Sequence, residues 1–265
     1  MTELAYVATA DRLEQVQASI NSVLLHPPYP DQIVIYTDQL EIHPIQNRGT
    51  IPIRIQPIEK LIPAIPHGNK ICICNSDADI TIYLDNDTIV NQSLKSLVSI
   101  SNHDWEFRAR IGTIFENGTI PQDKWRNFFE TRGLIPKPMW NSGVLCLKSP
   151  FKNSLGESWK KWFLELSTTD FSDVCDRFFL DQISLSMAVS ETGGKVLNLE
   201  MTDHSYEWMA ENPYNSSVHH TGSLFYQRAL LRNRIIDSRI GHLLGRNSIL
   251  FFENSTRRLW RRLKG

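Results

Sequence analysis

The sequence predicts an α/β chain built on a doubly wound, mainly parallel sheet with helices on both faces. Short apolar runs alternate with stretches of helical periodicity over roughly the first 90 residues, the pattern of repeated strand–helix–strand units. Composition agrees: 265 residues, 41% hydrophobic and 22% charged, close to ordinary globular usage and unlike disordered, collagenous or coiled-coil chains. Acidic residues also fall just after several of the apolar runs, at the end of the strands where open α/β sheets bind ligands.

The elements follow in order. Leu4-Ala5-Tyr6-Val7-Ala8-Thr9 reads as a first strand, and Asp11 after it as a helix cap. Leu13, Val16, Ile20, Val23 and Leu24 recur at helical spacing until His26-Pro27-Pro28-Tyr29-Pro30 stops the helix. Gln32 to Asp38 is a second buried strand, and the proline-flanked alternation Ile51 to Ile55 a third, at a sheet edge. Residues 67–76 read as helical, with an Ile/Cys alternation that also fits a strand. Ile80 to Asp85 is a strand that ends in carboxylates. Residues 101–140 read as mixed and rich in loops. Gly143 to Leu147 is a further strand, 154–166 and 178–189 are helical, and Val196 to Leu199 is a short strand.

No apolar run approaches the ~18 residues that a membrane-spanning helix needs. The N-terminal residues carry no basic stretch ahead of an apolar core, so no signal peptide is expected. Cys72, Cys74, Cys146 and Cys175 form no C-x-x-C pair and read as the reduced thiols of a cytoplasmic protein. Charge is uneven. Residues 224–265 hold ten basic and two acidic side chains, a net +8, which leaves −9 on the remainder of a chain whose net charge is −1. Leu231, Ile235, Ile236, Ile240, Leu243 and Leu244 stand at helical spacing there, and Leu259, Trp260 and Leu263 lie among Arg257, Arg258, Arg261, Arg262 and Lys264. Such a tail suits the inner, anionic face of a membrane, and equally a solvated helix packed on the domain. The acidic body, without any aromatic-basic reader motif, argues against a nucleic-acid partner.

Tyr83-Leu84-Asp85-Asn86-Asp87-Thr88 is the most informative stretch. A buried strand delivers two carboxylates, one residue apart, into a loop, where they repel each other unless a cation neutralises them. Hard oxygen ligands suit Mg²⁺ or Mn²⁺, ions that also bind substrate phosphates. Alone, such a triplet is as readily a polar turn.

The segment resembles the Asp-x-Asp signature of nucleotide-sugar glycosyltransferases of the GT-A fold, and most of all glycosyltransferase family 8. Lys70 and Asp79 stand ahead of it as in that family. Three further matches follow in the family's order: Trp140-Asn141-Ser142-Gly143-Val144, Asp181-Gln182 and Val218-His219-His220-Thr221-Gly222. Each is short, but together they span residues 70–222. Departures are also present. The family's Lys-Pro-Trp after the last motif is replaced by Ser223-Leu224-Phe225-Tyr226-Gln227-Arg228, with Arg228 as the nearby cation. The N-terminal uridine-binding stretch matches loosely as Ala8-Thr9-Ala10-Asp11.

The resemblance implies a GT-A catalytic domain over residues 1–223, nucleotide-binding to about residue 100, followed by the basic helical tail. It implies transfer of a hexose from a nucleotide sugar, a UDP-sugar, to a glycan or lipid-linked acceptor. Asp85, Asp87 and the motif histidine, His219 by alignment with its neighbour His220 as the alternative, would hold Mn²⁺ or Mg²⁺ on the diphosphate, a histidine ligand favouring Mn²⁺. Thr9, Ala10, Asp11, Asp38, Lys70 and Asn86 would bind the nucleotide, and Asn141, Ser142, Gly143 and Gly222 the donor sugar. Asp181 and Gln182 would position the reacting centre. Were configuration inverted, Asp181, Asp176 or Asp203 would be the base. A dehalogenase-like phosphatase with Asp85 as nucleophile, and a non-catalytic sugar-nucleotide or membrane-binding module, are the competing readings.

Overall fold

The computed structural model describes residues 1–38, 51–99, 104–206 and 213–240. In chain order the elements are β1 (Thr2–Ala8), α1 (Leu13–Val23), β2 (Gln32–Thr37), β3 (Ile53–Pro57), a 3₁₀ helix (Pro66–Asn75), β4 (Ile80–Leu84), β5 (Thr88–Val90) and α2 (Lys95–Val98). Then come β6 (Phe107–Ile111), α3 (Thr113–Glu116), α4 (Gln122–Glu130), β7 (Trp140–Lys148), α5 (Phe151–Thr168), α6 (Leu180–Thr192), β8 (His204–Tyr206), β9 (Val218–His220) and α7 (Leu224–Ile240).

The main sheet has six strands in the order β3-β2-β1-β4-β7-β6. β3, β2, β1 and β4 run parallel, and β7 is antiparallel to both β4 and β6. Burial on both faces explains why the first strands read as continuous apolar runs. Leu4, Tyr6, Ile33 and Ile35 pack with Val16, Ile20 and Val23 of α1 on one face. Ala5, Val34 and Tyr36 turn the other way, into a core shared with Trp159, Phe163, Ile183 and Met187 of α5 and α6. As the prolines around it suggest, β3 is an edge strand.

A second sheet, β5-β9-β8, stands beyond the C-terminal end of β4. β9 is antiparallel to β5 and parallel to β8. Its strands have three residues each, too few for a period to be read from sequence. The 101–140 region is more ordered than expected, because β6 and α4 lie within it. Phe107-Arg108-Ala109-Arg110-Ile111 hides its strand character behind two arginines that are nevertheless buried. Arg108 donates to the Leu97 carbonyl and pairs with Asp203, and Arg110 donates to the His204 carbonyl at 3.1 Å and pairs with Glu116. Conversely, Val196 to Leu199 is not a strand. It nevertheless runs parallel to β6, through the bridge Phe107–Val196 and through the backbone N–H groups of Leu197 and Leu199, which donate to the Phe107 and Ala109 carbonyls, both at 3.0 Å.

α7 occupies the first part of the basic segment and packs against α1 and β5. The end of the predicted basic helical tail, with Leu259, Trp260 and Leu263, lies outside the described residues. Among the described residues, no helix is long and apolar enough to cross a membrane.

Candidate active site

The Asp85-Asn86-Asp87 loop lies between the end of β4 and the start of β5, and its backbone is tied down on every side. Asp85 N donates to the Gly143 carbonyl at 2.8 Å, and Thr88 Oγ1 to the Asp85 carbonyl at 2.8 Å. Both the backbone N–H and the hydroxyl of Thr221 donate to the Asp87 carbonyl. The buried Gln227 amide of α7 donates toward the carbonyls of Asn86 and Thr88, both at 2.9 Å, and of Gln15 at 3.0 Å. With its carbonyls held, the loop presents its two carboxylates in fixed positions.

His220, from β9, faces them. Its Nε2 is 3.5 Å from Asp85 Oδ2 and 3.3 Å from Asp87 Oδ1. Asp85, Asp87 and His220 each offer one ligand atom, and these atoms all lie within 4.8 Å of one another. Gly143 of β7 makes the approach possible, since a Cβ there would stand 2.2 Å from His220 Cε1 and 2.9 Å from Asp85 Oδ2. Lys70, brought in by the 3₁₀ helix, lies 2.9 Å from Asp85 Oδ1 and 3.3 Å from Asp181 Oδ2. Tyr83 donates its hydroxyl to Asp85 at 2.5 Å, and Ser142 donates to Asp181 at 2.6 Å. Asp181 sits in the first turn of α6, where the helix dipole favours a negative charge.

These contacts set the electrostatics. Burial opposes ionisation of Asp85, but Lys70, His220 and Tyr83 outweigh it and hold the carboxyl far below its usual range. Asp87 is likewise lowered, against its burial, chiefly by His220. Burial disfavours a charged His220, yet Asp87 and Asp85 prevail and push its pKa up to about 9. His204, fully buried beside His220 and Arg110, is pushed well down and is neutral. In this form a protonated imidazole sits against the carboxylate pair where a divalent cation could replace the proton. Two carboxylates and one imidazole nitrogen form a donor set suited to Mn²⁺ or Mg²⁺.

Two adjoining cavities share His67, Lys70, Asp85, Asp87, Phe178 and Gly222. The larger, about 820 Å³, is also lined by Thr9, Asp11, Arg12, Asp38, Lys60 and Asn86. The smaller, about 310 Å³, adds Asn141, Ser142, Asp181, Gln182 and Tyr206. The sequence-predicted residues are therefore divided between two compartments that meet at the carboxylate pair. Ala10 lies in the 3₁₀ turn Ala10–Arg12 next to Thr9 and Asp11. Asp38 pairs with Lys60 at 2.9 Å. Asn141-Ser142-Gly143 is not a turn but the beginning of β7.

One predicted member faces elsewhere. His219 accompanies Ser205 and Ile89 on the opposite face of the small sheet. Its Nδ1 is 2.9 Å from Ser205 Oγ, and its ring stands edge-on to Tyr226 of α7. Adjacent strand residues point to opposite faces, so only one of the two histidines can approach the carboxylates. The imidazole there is that of His220, a correction to the motif-based choice of His219. Asp176 and Asp203 also stand apart from the cavities. Asp176 caps a turn by accepting from Phe178 N at 2.7 Å, and Asp203 pairs with Arg108. Arg228 pairs with Glu14 on the surface at 2.9 Å, and the cations lining the larger cavity are Arg12, Lys60 and Lys70. Trp105, Trp125 and Trp140 are buried core residues. The sequence reading did not find His67, Phe178, Phe179 and Tyr206 of the cavity walls, which no motif marks.

Residues 37–193 match the family model of the Rhodobacterales glycosyltransferase domain. Among solved structures, the galactosyltransferase LgtC in complex with donor and acceptor sugar analogs is similar over 82% of this chain and 86% of its own, at 16% identity and a TM-score of 0.57. An active-site mutant of LgtC gives 17% identity and a TM-score of 0.55 over the same shares. The bifunctional glycosyltransferase WbbM, in its apo form, is similar over 84% of this chain but only 46% of its own, at 12% identity and a TM-score of 0.57. These likenesses are of fold: a mixed α/β architecture of the GT-A type. No curated protein sequence matches the chain.

Proposed function

Because the chain belongs to the Rhodobacterales glycosyltransferase domain family, we propose that it transfers a hexose from a nucleotide sugar of the UDP class to a glycan or lipid-linked acceptor. This assignment replaces the phosphatase alternative. The observation that carries the proposal is the convergence of Asp85, Asp87 and His220 where the two cavities meet. In this reading the larger cavity takes the nucleotide, through Thr9, Ala10, Asp11, Asp38, Lys70 and Asn86. The smaller takes the donor sugar, through Asn141, Ser142 and Gly222, with Gly143 leaving room for His220.

Asp85, Asp87 and Nε2 of His220 would hold Mn²⁺ or Mg²⁺, and the imidazole nitrogen favours Mn²⁺. When bound, such an ion supplies Lewis-acid stabilisation of the departing diphosphate. Lys70, fixed between Asp85 and Asp181, adds a cation that needs no rearrangement as negative charge develops. Asp181 is committed to Ser142 and Lys70, which supports a role in orienting the donor sugar and stabilising positive charge rather than in taking a proton. Gln182, next to it on α6, shares that cavity wall. The catalytic unit is residues 1–223 together with α7, whose Gln227 holds the Asp85–Thr88 loop, and the basic residues beyond α7 suit the inner, anionic face of a membrane that presents a lipid-linked acceptor.

The test is calorimetric titration with UDP-, GDP-, CMP- and dTDP-sugars, with and without Mn²⁺, on the wild type and Asp87→Ala. Binding of a UDP-sugar that requires Mn²⁺ and disappears in the variant is expected. Absence of metal-dependent binding for every sugar nucleotide overturns the proposal.

A further inference from the structure

The imidazole of His220 is closely walled. The Tyr206 ring is stacked on it, with centroids 5.2 Å apart and planes 4° from parallel. Gly143 is a second wall, since a Cβ there would lie 2.2 Å from Cε1. These walls fix the plane of the ring but not which edge faces Asp85 and Asp87. A half-turn about the Cβ–Cγ bond keeps the plane and exchanges the nitrogen positions with those of carbons. A polar contact is needed to choose, and one is present: His204 Nε2 lies 3.1 Å from His220 Nδ1.

We propose that His204 is the positioning residue of the site, accepting the Nδ1–H of His220 at its own Nε2 and so turning His220 Nε2 toward the two carboxylates. The proposal rests on the reading that Asp85, Asp87 and His220 hold a divalent ion. A ring that gives its Nε2 lone pair to an ion keeps its only N–H at Nδ1, so His204 is the acceptor in that state. In a protonated His220 both nitrogens carry hydrogen, and the same acceptor serves. A single arrangement thus serves both states without movement of His204, whose own proton then sits on its buried Nδ1, without a hydrogen-bond partner among the described residues.

The local structure holds His204 for this task. Its side chain is fully buried in β8. The parallel register sets Tyr206 opposite His220 and His204 opposite Val218, so both ring-holding residues come from alternate positions on one face of one strand. Arg110 fixes the strand from beneath, donating to the His204 carbonyl at 3.1 Å and lying 5.9 Å from the Tyr206 ring centroid. Outer partners of this kind set the tautomer and orientation of ligating histidines, and their loss typically weakens metal binding by about 10- to 100-fold.

The experiment compares the wild type with His204→Phe, which keeps a ring but offers no acceptor, and His204→Gln, whose amide oxygen can replace Nε2. Free Mn²⁺ is measured by electron paramagnetic resonance with UDP present, melting by circular dichroism verifies folding, and nitrogen-correlated NMR of the metal-free wild type identifies the His220 ring protons. The expected results are Mn²⁺ binding weakened about 10- to 100-fold in His204→Phe, binding near wild type in His204→Gln, and a slowly exchanging Nδ1–H on His220. Undiminished Mn²⁺ binding in His204→Phe, or equal weakening in both variants, overturns the proposal. Should the wild type bind no Mn²⁺, the metal-site reading falls separately. The NMR signal then decides, because a His220 without a protected Nδ1–H overturns the positioning role as well.

Discussion

A histidine whose pKa is raised to about 9 turns ion binding into proton exchange. An ion at His220 Nε2 requires the neutral ring, whereas near pH 7 the ring is protonated. Binding must then expel one proton across a gap of about two pH units, at about 1.4 kcal/mol each. The cost is about 3 kcal/mol, or roughly a 100-fold loss of apparent affinity at pH 7 relative to the limit above pH 9. The sign follows directly: affinity rises as pH rises, about tenfold per unit from roughly pH 6.5 to 8.5. Asp85 and Asp87, both held low, remain ionised throughout and add no slope. The linked effect on folding runs the other way. The raised pKa stabilises the metal-free protein fully below about pH 6.5, and this contribution is lost as pH rises through about 9. Mn²⁺ calorimetry in two buffers of different ionisation enthalpy should give about one proton released per ion near pH 7, and His220→Gln should abolish both the release and the slope. A flat affinity from pH 6.5 to 8.5 with no proton release would refute the assigned environment of His220.

Gly143→Ala should drive a methyl group into the His220 ring and Asp85, at about 1–3 kcal/mol of stability. A lower melting temperature with lost Mn²⁺ binding is expected, and an unchanged protein contradicts the packing argument. Lys70→Met removes the cation shared by Asp85 and Asp181 and should destabilise the fold by about 3–5 kcal/mol, with a loss of transfer that substrate saturation does not restore. Urea unfolding and steady-state kinetics check this. Gln227→Ala orphans carbonyls of the Asp85–Thr88 loop, at about 1–3 kcal/mol for each group left unsatisfied. Weakened Mn²⁺ binding in a protein otherwise folded by circular dichroism is the expected signature.

The parallel half of the sheet was legible because its strands are buried on both faces and its helices are amphipathic: Leu4, Ile33 and Ile82 read as core and are core. The carboxylate loop was legible because a strand led into it. What escaped the sequence has physical causes. β6 is a strand with buried, paired arginines at alternate positions, so its apolar pattern is broken although its burial is not. The small sheet is assembled from three segments distant in sequence, each shorter than a detectable period. That also explains the histidine choice. Val218-His219-His220 as a strand says that the two rings part, but only pairing with β5 and β8 says which faces Asp85. His204 and Tyr206 carry no motif, and their relation to His220 exists only through the β8–β9 register.

The most direct test of the central claim is a crystal soaked with Mn²⁺ and UDP, measured at the manganese absorption edge. One anomalous peak is expected, bound by the carboxylates of Asp85 and Asp87 and by Nε2 of His220, with UDP in the larger cavity and His219 still against Ser205. A peak on His219, a peak away from this cluster, or UDP bound with no manganese at the carboxylate pair would contradict it.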